Sequence, residues 1–422
     1  MLSPRKRLMR TPSKPTAIKR SKRNILILGH FNVSLDKNWY ASWIKQRLKD
    51  LPPSLLEIEV SGVPLGRPGS YERLAQAIDQ FALRMEGTSV DDIIEHLCET
   101  NVLRKDQHAS STSYRVLVFA CLGWQSMLFL PAFNVCSFAE LAIYYDDNQP
   151  NSGLVFDTFR VPSHLSDRPL SILLKAFGHI LPAGPTRALS LPTETLKSVA
   201  SWKALWPEEI NVYLLQVLLR VRLRWVDCLA LHLDYDKSTQ TLCLFAYPSM
   251  CASMLDSHGT IFAFASIETN AADPRADRGE INCFLREVLL SYRLLFGQCP
   301  KSRRLFRSIG PSAQIFQYGP DTLLQQLCTN KQLSQAGMGW VPDDRAVYYA
   351  SKDFSILRDR VELISNELEK VRPRSMGDLV HDKRDAVQYW TFWSISIIGG
   401  ISIVLSLTQI ILQCLQLAQD NS

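Results

Sequence analysis

The feature that most limits what this chain can become is an uncharged run near its C-terminal end. From Phe392 to Leu412 the sequence reads FWSISIIGGISIVLSLTQIIL, 21 residues without an Asp, Glu, Lys or Arg. At about 1.5 Å per residue, a helix of that length crosses the roughly 30 Å hydrocarbon core of a bilayer. A helix buried in a water-soluble domain seldom stays uncharged for about six turns, because one face normally meets solvent. The chain of 422 residues contains no second run of this kind. Tyr389, Trp390, Phe392 and Trp393 cluster at its start, where amphipathic rings prefer the headgroup level. The expectation is a single-pass anchor over 389–417, with a short lumenal tail at 418–422.

Flanking charge sets the orientation. Lys370, Arg372, Arg374, Lys383 and Arg384 precede the run, whereas the closing AQDNS has no basic residue. The positive-inside rule then puts the N-terminal side in the cytosol, a tail-anchored topology. The acidic tail and the length of the span favour endoplasmic reticulum or nuclear envelope. Within the anchor, Trp390 and Trp393 are the interfacial residues and Gly399, Gly400, Ser402 and Ser406 the small ones. At about 100° per residue, Gly399, Ser402, Ser406, Gln409 and Gln413 share one arc. That arc suits a second copy or a partner helix, since membrane helices associate through small residues and interhelical hydrogen bonds. The alternative is that the serines bond back to their own helix.

The rest of the chain reads as globular: hydrophobic residues make up 46% and charged ones 21%, too little for a multi-pass channel and too much for a disordered protein. The net charge of +6 is a local effect. Nine Lys or Arg and no acid fall between Arg5 and Arg23, and without them the balance is about −3, so the body gives no electrostatic case for nucleic acid. Residues 1–23 form a disordered basic tail. Its two clusters, Arg5 to Arg7 and Lys19 to Arg23, have the spacing of a bipartite nuclear import signal. The other reading is a polybasic arm attracted to anionic lipid. Ten Cys without a CxxC pair, several inside apolar runs, point to a reducing compartment rather than disulfides or zinc.

Periodicity divides the remainder into a 24–107 α/β lobe, a 114–345 α+β main body and a 346–388 helical stalk and juxtamembrane segment. The fold class expected is thus an α/β or α+β cytosolic body with a C-terminal helical stalk and a single transmembrane helix. Strands are expected at 24–29, 55–60, 114–122 and 154–159, and a hairpin at 226–247 turning on Asp236 to Gln240. Helices are expected at 39–48, 71–85, 90–104, 168–180, 208–224, 281–297 and 321–329. The polar stretch 108–113 reads as a lobe boundary. Phe354, Leu357, Val361, Ile364, Leu368 and Val371 step by three and four up to Pro373. That seam fits a short coiled coil or a helix packed on its own domain.

No sequence motif commits the chain to a reaction. GxGxxG, the Walker A lysine, HExxH and GxSxG are all missing. His30 follows an apolar run, where α/β proteins often place ligand sites. Asp146 and Asp147, between Tyr145 and Asn148, offer oxygen ligands suited to magnesium but also make an ordinary solvated turn. His232 and Asp234 alternate with Leu229, Leu231 and Leu233, as a base and its orienter on the polar face of a strand would. Arg293, Lys301, Arg303, Arg304 and Arg307 read as the compensating end of a helix. No catalytic, cofactor-binding or metal residue is assigned on these grounds. A membrane-tethered interaction or regulatory protein is the expected function, and an enzyme at the membrane surface, with a site near His30 or Asp146, is the alternative.

Several blocks carry a resemblance: LVFACLGWQSMLFLPAF (117–133), WVDCLALHLDYDKSTQTLCLF (225–245), LLSYRLLFGQCPKSRRLFR (289–307), DFSILRDRVELI (353–364) and DKRDAVQYWTFWSISIIGG (382–400). In this order they resemble an uncharacterised family of filamentous-fungal proteins with a C-terminal membrane anchor. The resemblance covers about 115–412. It implies an anchor and a fungal origin, and it brings no functional residue.

Overall fold

The computed structural model describes residues 38–82, 87–104, 110–133, 138–144, 158–177, 203–257, 259–265, 275–309, 318–331, 340, 342–371 and 386–420. The expected strand at 24–29, His30, the basic tail and the Asp146–Asp147 pair lie outside these residues, as does Pro373.

Helix α1 (Asn38–Lys49) opens the described chain, followed by a helical turn at Pro53–Leu56 and a small ribbon of β1 (Glu59–Val60) and β2 (Val63–Pro64). The strand expected over 55–60 is therefore mostly turn. Helices α2 (Ser70–Ala82) and α3 (Val90–Glu99) fall where the apolar spacing puts them. Ser89 starts α3 with a reciprocal cap: its hydroxyl accepts from Asp92 N–H at 3.0 Å, and Asp92 accepts from Ser89 N–H at 2.9 Å.

The stretch 114–122, expected as a buried strand, is the middle of helix α4 (Ser110–Ser126). Residues Val116 to Leu122 are all buried, so this part of the helix is apolar all round and carries no solvent face for a 3.6-residue period to reveal. Gly123 lets the chain fold back tightly: a Cβ there would lie 2.7 Å from the Phe129 ring and 2.9 Å from its carbonyl oxygen. The ring of Phe129 stacks on Phe119 at 4.6 Å. Strands β3 (Leu130–Pro131), β4 (Glu140–Tyr144) and β5 (Thr158–Pro162) then form an antiparallel sheet in that order.

After α5 (Leu170–Ala176) come β6 (Ala204–Leu205), α6 (Val212–Leu218) and β7 (Arg222–Val226). The hairpin expected at 226–247 is only partly formed. β7 runs parallel to β9 (Thr241–Phe245), and only the two-residue β8 (Tyr235–Asp236) pairs with β9 in antiparallel fashion. Between β7 and β8 the chain makes a 3₁₀ turn at Leu229–Leu231, and Leu233 takes a left-handed φ of 60°. Leu229 to Leu233 are buried without a break, so the alternation in the sequence does not become two faces of a strand.

Helix α7 (Pro248–Ser257) packs on α8 (Arg275–Tyr292), whose end widens into a π-turn over Arg293–Gly297. Helices α9 (Pro300–Ile309) and α10 (Thr322–Thr329) close over that turn. β10 (Tyr348–Tyr349) pairs with β6, and α11 (Arg358–Lys370) follows. One hydrophobic cluster takes in residues from Trp39 on α1 to Leu368 on α11. The chain is thus a mixture of helix and sheet, with one apolar helix, α12 (Ala386–Asp420), at its C-terminal end.

Helix α11 is not a free-standing stalk. Val361, Ile364 and Leu368 are buried, and Arg360 Nη1 donates to the carbonyls of Ala230 at 2.7 Å and His232 at 2.6 Å. Lys203 reaches Glu369 at 2.9 Å, and Lys237 reaches Glu367 at 2.9 Å. The apolar seam belongs to a helix packed on its own body.

Candidate functional site

Helix α8 and the π-turn that ends it carry the densest set of buried polar side chains among the described residues, four of them within two turns. Glu287, Ser291 and Arg293 are buried, as is Tyr292. Each reaches a different distant element, because successive residues on a helix point about 100° apart.

Glu287 accepts from Ser355 Oγ at 2.8 Å, from Ile356 N–H at 3.0 Å and from Leu357 N–H at 2.8 Å. Those donors belong to the turn that leads into α11, with Leu357 the residue just before the helix. Burial lifts the carboxyl pKa to about 7 against the lowering effect of these bonds. Ser291 Oγ lies 2.8 Å from His232 Nε2 and donates to Val288 C=O at 2.7 Å. Tyr292 donates its hydroxyl to Phe245 C=O.

The His232–Ser291 pair has the composition of a base and a nucleophile but the opposite polarity. His232 Nδ1 accepts from Phe245 N–H at 3.2 Å, so the ring proton sits on Nε2 and points at Ser291. Ser291 already gives its own hydrogen to a carbonyl. No lone pair on the imidazole is free to take a proton from the serine, which general-base activation requires. Burial, with Arg360 adding a smaller push, lowers the histidine pKa to about 3. The arrangement of His232 and Asp234 on one face of a strand, considered from the sequence without being assigned, does not occur. Asp234 lies in the turn, where its backbone bonds with Leu231 and Cys243.

Arg293 uses all five of its N–H donors. Asp344 takes two, at 2.8 and 2.7 Å, and the carbonyls of Leu327, Asn330 and Lys331 take the rest at 2.8, 2.8 and 3.2 Å. The expected basic helix end is therefore split. Arg293 is an internal clamp on the end of α10, Arg303 donates to Gly297 C=O at 2.7 Å, and Lys301 lies 4.8 Å over the Tyr213 ring.

Two further carboxylates tie elements together. Asp321 caps α10 by accepting from Leu324 N–H at 2.9 Å and also holds Ser249 through its N–H at 3.0 Å and its hydroxyl at 2.5 Å. Its pKa is raised by burial. Asp227 accepts from Trp43 Nε1 at 2.7 Å and Arg47 Nη2 at 2.5 Å, fixing α1 to the end of β7. Beside them Trp39 stacks on Tyr247 at 4.0 Å. Among the described residues, no group of three His, Cys, Asp or Glu is arranged to hold a metal ion.

The sequence gives little warning of Glu287 and Arg293. Their only signal is a charge of each sign set in FLREVLLSYRLLFG, a segment otherwise apolar enough to be core.

Helix α12 has the opposite character. Its segment Trp393–Gln413 is long and apolar enough to cross a membrane, and none of it is buried. Ile395, Ile398, Ile403 and Val404 are all more than half exposed. Trp390 and Trp393 are exposed near its start. A Cβ on Gly399 or Gly400 would meet nothing within 4 Å. Ser402 donates to Ile398 C=O at 2.8 Å and Ser406 to Ser402 C=O at 2.9 Å. The hydroxyls are thus satisfied inside the helix.

No family model, curated protein or solved structure matches this chain.

Proposed function

We propose that the chain is a membrane-tethered interaction or regulatory protein, held by α12 with its body in the cytosol, in endoplasmic reticulum or nuclear envelope. One observation carries the reading: a 21-residue apolar segment, Trp393–Gln413, with none of it buried against the body. Apolar exposure on that scale is unfavourable in water at about 25 cal/mol per Å² and is relieved in a bilayer. Orientation rests on the basic residues upstream, Lys370 to Arg384. The face of Gly399, Ser402 and Ser406 is the proposed contact for a second copy or partner helix. The tail from Arg5 to Arg23 is the proposed contact for import factors or anionic lipid. The resemblance of 115–412 to filamentous-fungal membrane proteins would add the anchor to this proposal and no catalytic residue.

The test is topological. Carbonate extraction should leave the full chain in the membrane pellet, and deletion of 389–422 should release it. A glycosylation acceptor fused after Ser422 should be modified in endoplasmic reticulum membranes. Modification of an N-terminal acceptor instead would overturn the orientation.

A further inference from the structure

We propose that the outer face of the β6–β10 ribbon, carrying Trp206 and Tyr349, rests at the headgroup level of the bilayer that α12 would cross. The inference depends on the membrane-tether reading above.

In the ribbon, Leu205 pairs with Tyr348 and Ala204 with Tyr349. Leu205 and Tyr348 face inward and are buried. The opposite side carries Tyr349, which is 38% exposed, and Trp206, the residue after β6, is 45% exposed. Outside α12, the described residues expose only two other large apolar side chains to this degree, Phe159 and Ile172. Tryptophan and tyrosine combine an apolar ring with one polar tip, the chemistry enriched at membrane–water boundaries.

The ribbon also lies where the chain departs for the anchor. Lys203, the residue before β6, bonds through Nζ to Asn366 and Glu369, and its carbonyl accepts from Ala350 N–H at 3.0 Å. Glu369 sits in the last turn of α11, which ends at Lys370. Fifteen residues, 371–385, then separate α11 from α12. At about 3.3–3.6 Å per residue they reach roughly 50 Å at most, so the end of α11, and the ribbon bonded to it, cannot lie farther than that from the start of α12.

A protein partner is the weaker fit, because two rings supply far less than the roughly 800 Å² per side of a stable interface. A surface already tethered needs little added affinity, since the second contact is intramolecular. The exposed Glu208 and Glu209 beside Trp206 make zwitterionic headgroups a better match than anionic ones.

The experiment uses the full chain in phosphatidylcholine liposomes whose acyl chains carry bromine, a contact quencher of indole fluorescence. A W390F/W393F variant removes the two described anchor tryptophans and should keep a bromine-quenched component. Adding W206F should abolish most of that component while leaving the melting temperature unchanged. An equal quenched component with and without W206F, or none before it is added, overturns the ribbon contact alone. Failure of the wild-type chain to float with the liposomes overturns the tether and this inference together.

Discussion

The guanidinium of Arg293 fills the space that a side chain on Gly297 would need. A Cβ at position 297 would meet Arg293 Nη1, lie 2.6 Å from its Cζ and lie 2.6 Å from Leu327 C=O. The arginine cannot swing aside, because all its donors are engaged and it is fully buried.

Gly297→Ala should therefore destabilise the body by about 3 kcal/mol or more, combining overpacking with disruption of a buried charge. Gly279, also on α8 but with nothing within 4 Å of its Cβ position, is the control. Its change to Ala should stabilise the helix by about 0.5–1 kcal/mol. Thermal unfolding of both variants in detergent separates the two outcomes.

Glu287 should make the body less stable as pH rises from about 4.5 to about 7. Its folded pKa is raised to about 7 from 4.5, so in that window the folded state holds more protons than the unfolded one. The contribution is on the order of 3 kcal/mol. Glu287→Gln loses acceptor capacity toward Ile356 and Leu357 and should be destabilised at every pH. The difference between wild type and variant should nevertheless shrink between pH 5 and pH 8. A constant difference would show that the carboxyl does not titrate there.

His232 acts in the opposite sense. With a folded pKa of about 3 against 6.5, the unfolded state binds the extra proton, so stability falls as pH drops from about 6.5 toward 3. In His232→Asn, the amide oxygen can replace Nδ1 as acceptor for Phe245 N–H. That variant should show a flatter acid limb in its unfolding profile, at a lower plateau near neutrality. An acid limb as steep as wild type would assign the acid loss to other groups.

Thiol labelling should report burial residue by residue. Cys121, Cys228, Cys243, Cys251 and Cys328 are buried and Cys283 is exposed. Among these six, only Cys283 should react with a thiol reagent in the native state, as mapped by mass spectrometry. Partial burial and the neighbouring Glu287 raise its pKa, so its rate should still be climbing above pH 9.

What could be read from the sequence depends on where the physical signal resides. Helices α2 and α3 present an apolar stripe beside polar faces, and Ser89 and Asp92 supply a local cap, so both were legible. The middle of helix α4, Val116 to Leu122, has no polar face, and an apolar run of that kind looks like a strand when read alone. Leu229 to Leu233 alternate in sequence, yet the left-handed φ at Leu233 lies in a chain reversal that alternation cannot encode. The seam on α11 was visible, but the surface that meets it is set by Arg360 and the carbonyls of Ala230 and His232, about 130 residues away. The buried charges on α8 were illegible for the same reason: Asp344 and the 355–357 donors have no sequence proximity to them. The apolar C-terminal helix needed no distant partner and was the plainest feature of all.

The packing of α11 also sets how the body would explore its surroundings. Because that helix is clamped by Glu287 at its start and by Lys203 at its end, no more than the 15 residues between α11 and α12 are left to act as a tether under the proposed topology, rather than the whole of 346–388. A body on so short a lead samples a small hemisphere above its own membrane, which corresponds to an effective concentration on the order of millimolar toward anything embedded beside it. Encounters too weak to survive in free solution would then be populated. Cutting the bonds to Lys203 and Glu287 would lengthen the lead and dilute every one of them at once.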